Sequence, residues 1–215
     1  MIVCLIWVTI ILTVHFAASK KHPDDDDSCP KVVKYDFDAL SIRWNPTFCN
    51  KGNDNKVICE SLFNFVIINL IKVMQESWPN LLKGKPVDSL WRHEWMKHGT
   101  CSSIGIKEGQ FGYFNRTLHL FDEYPIQEWL EKAGIKPTEP EKELAYNKSA
   151  VYEAIKSQLG HRTALFCKKK FRSKILIDTL FICFQYPKFR LYDCPLRDRC
   201  DEKVILPKTR QREEA

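Results

Sequence analysis

Two imidazoles, a carboxylate and an ammonium fall within six consecutive residues, His93-Glu94-Trp95-Met96-Lys97-His98. The wider stretch runs from Trp91 to Gly99-Thr100-Cys101. Imidazole is the side chain that titrates nearest neutral pH, so it can take or give a proton during a reaction. A second imidazole and an ammonium beside it can hold an anion and steady charge that builds on it. Such a density of ionisable groups among two tryptophans and a helix-stopping Gly-Thr-Cys points to acid–base chemistry on an anionic substrate.

Two other readings use the same residues. A zinc site of the H-E-x-x-H type needs its second histidine four residues after the first. Position 97 is a lysine, however, and its ammonium repels a cation; His98 lies one residue further on. The stretch could also be a solvated helix face, with Glu94–His98 and His93–Lys97 as ordinary i,i+4 neighbours.

Placing the four groups together requires a helix over residues 89 to 98. At about 100° per residue, His93, Glu94, Lys97 and His98 then share an arc of roughly 140°. Trp91 and Trp95 stand one turn apart beside that arc, where they anchor the helix in a core. Asp88 or Ser89 is expected to cap its start, and Gly99 to take the left-handed conformation just past its end. His98 falls in the last turn, where the carbonyl end of a helix favours a charged imidazolium.

Around this helix the pattern predicts an α+β fold, with several helices packed on an antiparallel sheet. Residues 35–44 alternate as a strand, and residues 61–76 are apolar nearly all round, as in a buried helix. Phe111, Tyr113, Phe114, Leu118 and Phe121 keep helical spacing. A short helix opens at Pro125 and closes at Gly134, and another covers residues 149–159 before Gly160. Residues 163–167, 176–184 and 204–206 read as further strands. Lys168-Lys169-Lys170-Phe171-Arg172, the densest basic cluster, reads as an exposed loop between two of them.

The chain has 215 residues and a formal net charge of +6. One domain is the default at this length, and the cationic excess suits a polyanionic partner. Residues 1–18 carry no Lys, Arg, Asp or Glu and are followed by Lys20-Lys21. Residues 1–19 therefore read as a secretory signal peptide, with an uncleaved anchor as the alternative. Residues 20–34, with Asp24 to Asp27, read as a mobile acidic leader, residues 35–207 as the folded domain, and 208–215 as a charged tail. Removing the signal takes Cys4 away and leaves eight cysteines: Cys29, Cys49, Cys59, Cys101, Cys167, Cys183, Cys194 and Cys200. An even count behind a signal implies disulfides and an oxidising compartment, with about 105 connectivities open. Asn115-Arg116-Thr117 and Asn147-Lys148-Ser149 are sequons for glycosylation at Asn115 and Asn147.

The pattern W-x-H-E-W-x-K-H-G-T-C, with Trp91, His93, Glu94, Trp95, Lys97, His98, Gly99, Thr100 and Cys101 at its nine defining positions, resembles the second catalytic segment of the ribonuclease T2 family of secreted acid endoribonucleases. Ser77-Trp78-Pro79 resembles the W-P that ends the family's preceding helix, and a weaker similarity runs from about Asp36 to about Pro207. The resemblance implies cleavage of single-stranded RNA through a 2′,3′-cyclic phosphate, with no cofactor and no metal. By the same resemblance His98 is the base, His93 and Lys97 hold the phosphate and its developing charge, and Glu94 assists them. It also implies disulfides Cys59–Cys101, Cys167–Cys200 and Cys183–Cys194, which leaves Cys29 and Cys49. A secreted or lysosomal monomer, free of the membrane after signal cleavage, is the expected form.

One part of the family pattern is missing. The family takes its general acid from a first segment, W-x-x-H-G-L-W-P, between the first strand and the buried helix. No histidine lies between Thr47 and Glu60; the remaining ones are His15, His22, His119 and His161. Loss of a general acid costs about 10²–10⁴-fold in rate. The alternative function is therefore a catalytically inactive secreted RNA-binding or effector paralogue that keeps the scaffold.

Overall fold

The computed structural model describes residues 8–16, 35–44, 69–80, 84–138, 144–169 and 175–207. Its centre is an antiparallel sheet ordered β1-β2-β5-β4, in which β1 is Val8–Phe16, β2 Tyr35–Trp44, β4 Ala164–Lys169 and β5 Ile175–Gln185. A short β6, Arg190–Tyr192, pairs with the end of β5. A separate two-stranded ribbon joins β3, Tyr146–Asn147, to β7, Lys203–Val204. The α+β architecture and antiparallel sheet expected from the sequence are both present. Residues 204–206, expected as a strand of the main sheet, instead give β7 to the ribbon and meet the sheet at a parallel bridge between Leu176 and Ile205.

β1 comes from the apolar segment read as the core of a signal peptide. In the full chain it pairs along β2 from Val8 opposite Trp44 to Phe16 opposite Tyr35. The other side of β2 pairs with β5, from Phe37 opposite Gln185 to Arg43 opposite Thr179. β2 is therefore an interior strand, and its residues 37–42 are all buried.

The two faces of β2 lead to two packing layers, as alternating side chains require. Leu40 and Ile42 join the main core with Leu180, Ile182 and Phe184 of β5. The helices α1 (Ile71–Ser77), α2 (Ser89–Lys97), α3 (Ser103–Glu123), α4 (Ile126–Lys132) and α5 (Lys148–Leu159) cover that face. Their contributions include Met74, Trp91, Tyr113, Phe114, Leu130 and Ile155. The opposite face carries a smaller cluster of Phe37, Ala39, Ala164, Phe181, Cys183 and Cys194.

Two helices differ from expectation. The part of the 61–76 helix that is described, α1, buries Met74 but leaves Val73 exposed, so it is amphipathic there and not buried all round. α3 holds the predicted aromatic row, with Tyr113, Phe114 and Leu118 buried, but bends at Gly109, whose φ is +69°. Glycine adopts that conformation without steric cost. Gly160 closes α5 at φ +77°, as its position predicted.

Disulfides Cys167–Cys200 and Cys183–Cys194 are formed, matching the expected pairs. Cys101 is also disulfide-bonded. Its expected partner Cys59, together with Cys29 and Cys49, lies outside the described residues. Lys168 corrects the loop reading of the basic cluster. It belongs to β4, and its ammonium lies 2.6 Å from the buried Asp178 carboxylate of β5. The remainder of the cluster past Lys169 lies outside the described residues. Among the described residues no helix is long and apolar enough to cross a membrane.

Candidate active site

The candidate residues stand on α2 and the turn that follows it. Trp91 anchors the helix: its ring is buried, and its indole N–H donates to the Trp78 carbonyl at 2.7 Å. Trp78 in turn meets Phe114 of α3 edge-on. Trp95, one turn after Trp91, packs its ring 5.8 Å from that of Tyr113. With the tryptophan side of α2 held against α3, the other side turns outward.

The expected start of the helix is only partly realised. Asp88 occupies the capping position but makes no side-chain cap; its carboxylate pairs with Arg92 at 2.8 Å. Ser89 donates to the Pro86 carbonyl instead. One turn later Asp88 gains a charged partner, and that competes with capping.

His93 and Lys97 are exposed, His98 is partly exposed and Glu94 is buried. The arc inferred from helical spacing therefore divides: the His93 imidazole and the Lys97 ammonium face solvent, and the Glu94 carboxylate is buried. The His93 and His98 rings stand 6.3 Å apart, nearly perpendicular. The Glu94 carboxylate comes to 3.9 Å from Nε2 of His98. His93, His98 and the buried Glu94 carboxylate thus lie close together, with the exposed Lys97 on the same helix. Among the described residues no three His, Cys, Asp or Glu side chains converge as a metal site would require.

His98 ends α2, and its carbonyl accepts hydrogen bonds from Cys101 and Ser102 N–H at 3.2 and 3.0 Å. The next three residues, Gly99–Cys101, form a 3₁₀ turn. Gly99 was expected in the left-handed region, but it is not among the glycines with positive φ. Glycine is needed here for space: a Cβ at position 99 would lie 2.4 Å from the Trp95 ring.

The turn passes directly into α3. Ser102 caps it, accepting from Gly105 N–H at 2.9 Å and donating to the Gly99 carbonyl at 2.9 Å. Gly105 sits so close that a Cβ there would lie 1.8 Å from the Gly99 carbonyl oxygen. Ser103 donates through its backbone N–H, at 3.2 Å, and through its hydroxyl to the carboxylate of Asp38 on β2. Burial pushes the Asp38 carboxyl above the usual carboxylate range, and the Ser103 bonds oppose that shift.

Asp38, Ser102, Ser103 and Gly105 are supporting residues that sequence reasoning passed over. The signal for Asp38 was available, since apolar residues on both parities of 37–42 mark a strand covered on two sides. The segment Ser102-Ser103-Ile104-Gly105 likewise opens a helix with a capping serine. His119 is exposed on α3, and His161 lies in a loop 3.4 Å from Asp193. Neither joins the α2 group.

Residues 35–194 match the ribonuclease T2 family. Ribonuclease Oy of Magallana gigas is 32% identical over 152 residues, covering 67% of this chain and 68% of that one. Ribonuclease T2 of Sus scrofa is 41% identical over 116 residues, but the match spans only 44% of this chain and 58% of the porcine one. Among solved structures, RNase NT in complex with 5′-AMP superposes with a TM-score of 0.67 at 23% identity, covering 80% of this chain and 98% of that one.

Proposed function

Because the chain belongs to the ribonuclease T2 family, we propose that it is an endoribonuclease acting on single-stranded RNA through the α2 face. The observation that carries this reading is the proximity of His93 to the partly exposed His98, with Lys97 exposed on the same helix and the Glu94 carboxylate 3.9 Å from His98. In the reaction, His98 takes the proton of a ribose 2′-hydroxyl as that oxygen attacks phosphorus. The bond to the 5′-oxygen breaks, leaving a 2′,3′-cyclic phosphate. His93 and Lys97 donate hydrogen bonds to the non-bridging oxygens, where negative charge grows. The 6.3 Å between the two imidazole rings leaves a gap that one phosphoryl group can bridge. Glu94 holds His98 by its charge from below.

The departing 5′-oxygen must be protonated, and the segment that supplies this acid in the family is absent between Thr47 and Glu60. That absence favours a second reading, a secreted paralogue that binds RNA and turns it over slowly or not at all. Secretion itself is inferred from the apolar start of the chain and its disulfides.

Mixing the full chain with a fluorescent single-stranded RNA at about pH 5 to 6 separates the readings, a range in which an imidazole can be present in both its neutral and its protonated form. The first reading expects binding followed by fragments that a His98→Ala variant does not make. Binding without fragments supports the second, and neither binding nor fragments contradicts both.

A further inference from the structure

The helix-facing row of β2 reads Asp38, Leu40, Ile42, and the two aliphatic residues belong to the main core. Asp38 has no solvent exposure at all. A carboxyl in such a row costs desolvation that a leucine would not. It is compensated by two donors from one residue, the N–H and hydroxyl of Ser103. Two bonds to one residue fix direction as well as distance, which apolar packing does not do.

Ser103 is the first residue of α3, and backbone hydrogen bonds tie Cys101 and Ser102 to His98 and Ser102 to Gly99. Ser102 N–H donates to the His98 carbonyl, and the Ser102 hydroxyl spans Gly99 and Gly105. The contact between Gly105 and the Gly99 carbonyl leaves no room for slippage. A movement of α3 relative to β2 would therefore reach the turn that links it to His98.

We propose that Asp38 is a positioning residue for the site: by gripping Ser103 it sets the Gly99–Ser102 turn, and through that turn the placement of the His98 imidazole. The inference deepens the ribonuclease reading, since His98 is the base in it. Asp38 itself does not touch substrate.

The test uses the full chain with Asp38→Ala, Asp38→Asn and Ser103→Ala. Its first readout is the ¹H–¹³C NMR signal of the His98 ring, which needs no turnover; its second is kcat and KM on single-stranded RNA. Asp38→Ala is expected to move the His98 signal while His119 and His161 stay in place. It should lower kcat about 10- to 100-fold at unchanged KM, the scale of a small misplacement of a reacting group. Asp38→Asn, which keeps an acceptor for Ser103, should restore both. Where Asp38→Ala fails to fold, Ser103→Ala carries the test, because it removes only the hydroxyl bond. An unmoved His98 signal in a folded Asp38→Ala or Ser103→Ala variant overturns the proposal, as does an Asn variant no better than Ala. If the parent chain proves inactive, the ribonuclease reading fails while the NMR comparison still decides the role of Asp38.

Discussion

The carboxylate of Glu94 lies 3.9 Å from Nε2 of His98, one turn along the same helix, with Glu94 almost fully buried and His98 about one-fifth exposed. A charge held beside an imidazole where water screens it poorly acts more strongly than one at the surface. Glu94→Gln keeps the shape and removes the charge. RNA cleavage is expected to fall at least about tenfold, equivalent to about 1.4 kcal/mol of lost support. Comparing kcat for the two proteins, with circular dichroism to verify folding, checks it.

Space at the turn gives a second expectation. Alanine at position 99 drives a methyl into the Trp95 ring, and alanine at 105 drives one into the Gly99 carbonyl. A ring can shift, but backbone gives way less readily. Both variants should lose about 1–3 kcal/mol of stability, the usual cost of overpacking, with Gly105→Ala the more damaging. Urea unfolding midpoints provide the comparison.

Asp38 also sets a pH dependence of stability. Its folded carboxyl binds a proton more tightly than the free side chain, because burial disfavours the charge. Its protonated form therefore supports the fold fully below the ordinary carboxylate range, and that contribution is lost as pH rises through the higher folded value. Relative to the parent, Asp38→Asn should flatten this fall in stability. Thermal midpoints of both proteins from pH 3 upward would show it; parallel curves would argue against it.

The two sequons have different surroundings. Asn115 lies within α3, and the hydroxyl of its Thr117 is buried and donates to the Tyr113 carbonyl at 2.7 Å. Asn147 and Ser149 are exposed at the start of α5. Expressed in a secretory host, the protein should carry glycan at Asn147 and none at Asn115. Glycosidase-sensitive gel mobility should then vanish in Asn147→Gln and persist in Asn115→Gln.

Local chemistry in the sequence was enough to place α2, its tryptophan anchors and the strands β2, β4 and β5, because period and turn residues determine such elements directly. Two cysteine pairs followed from the family resemblance. What the spacing could not reveal was depth. A helical wheel puts Glu94 beside Lys97, but only tertiary packing buries one and exposes the other. Gly99 illustrates a similar limit: a glycine after a helix suggested a left-handed cap, whereas a tryptophan ring packed over it is the actual constraint. The strand pattern of residues 37–42 marks Asp38 as covered, but its bond to Ser103 joins residues 65 apart, and no local pattern signals that pairing.

The central claim is that the α2 face performs transesterification. Its most direct measurement is the chemistry of the RNA ends made by the full chain and by its His98→Ala variant, read by mass spectrometry. The account predicts 2′,3′-cyclic phosphate ends from the parent and none above background from the variant. Equal yields of cyclic ends from both proteins would contradict it.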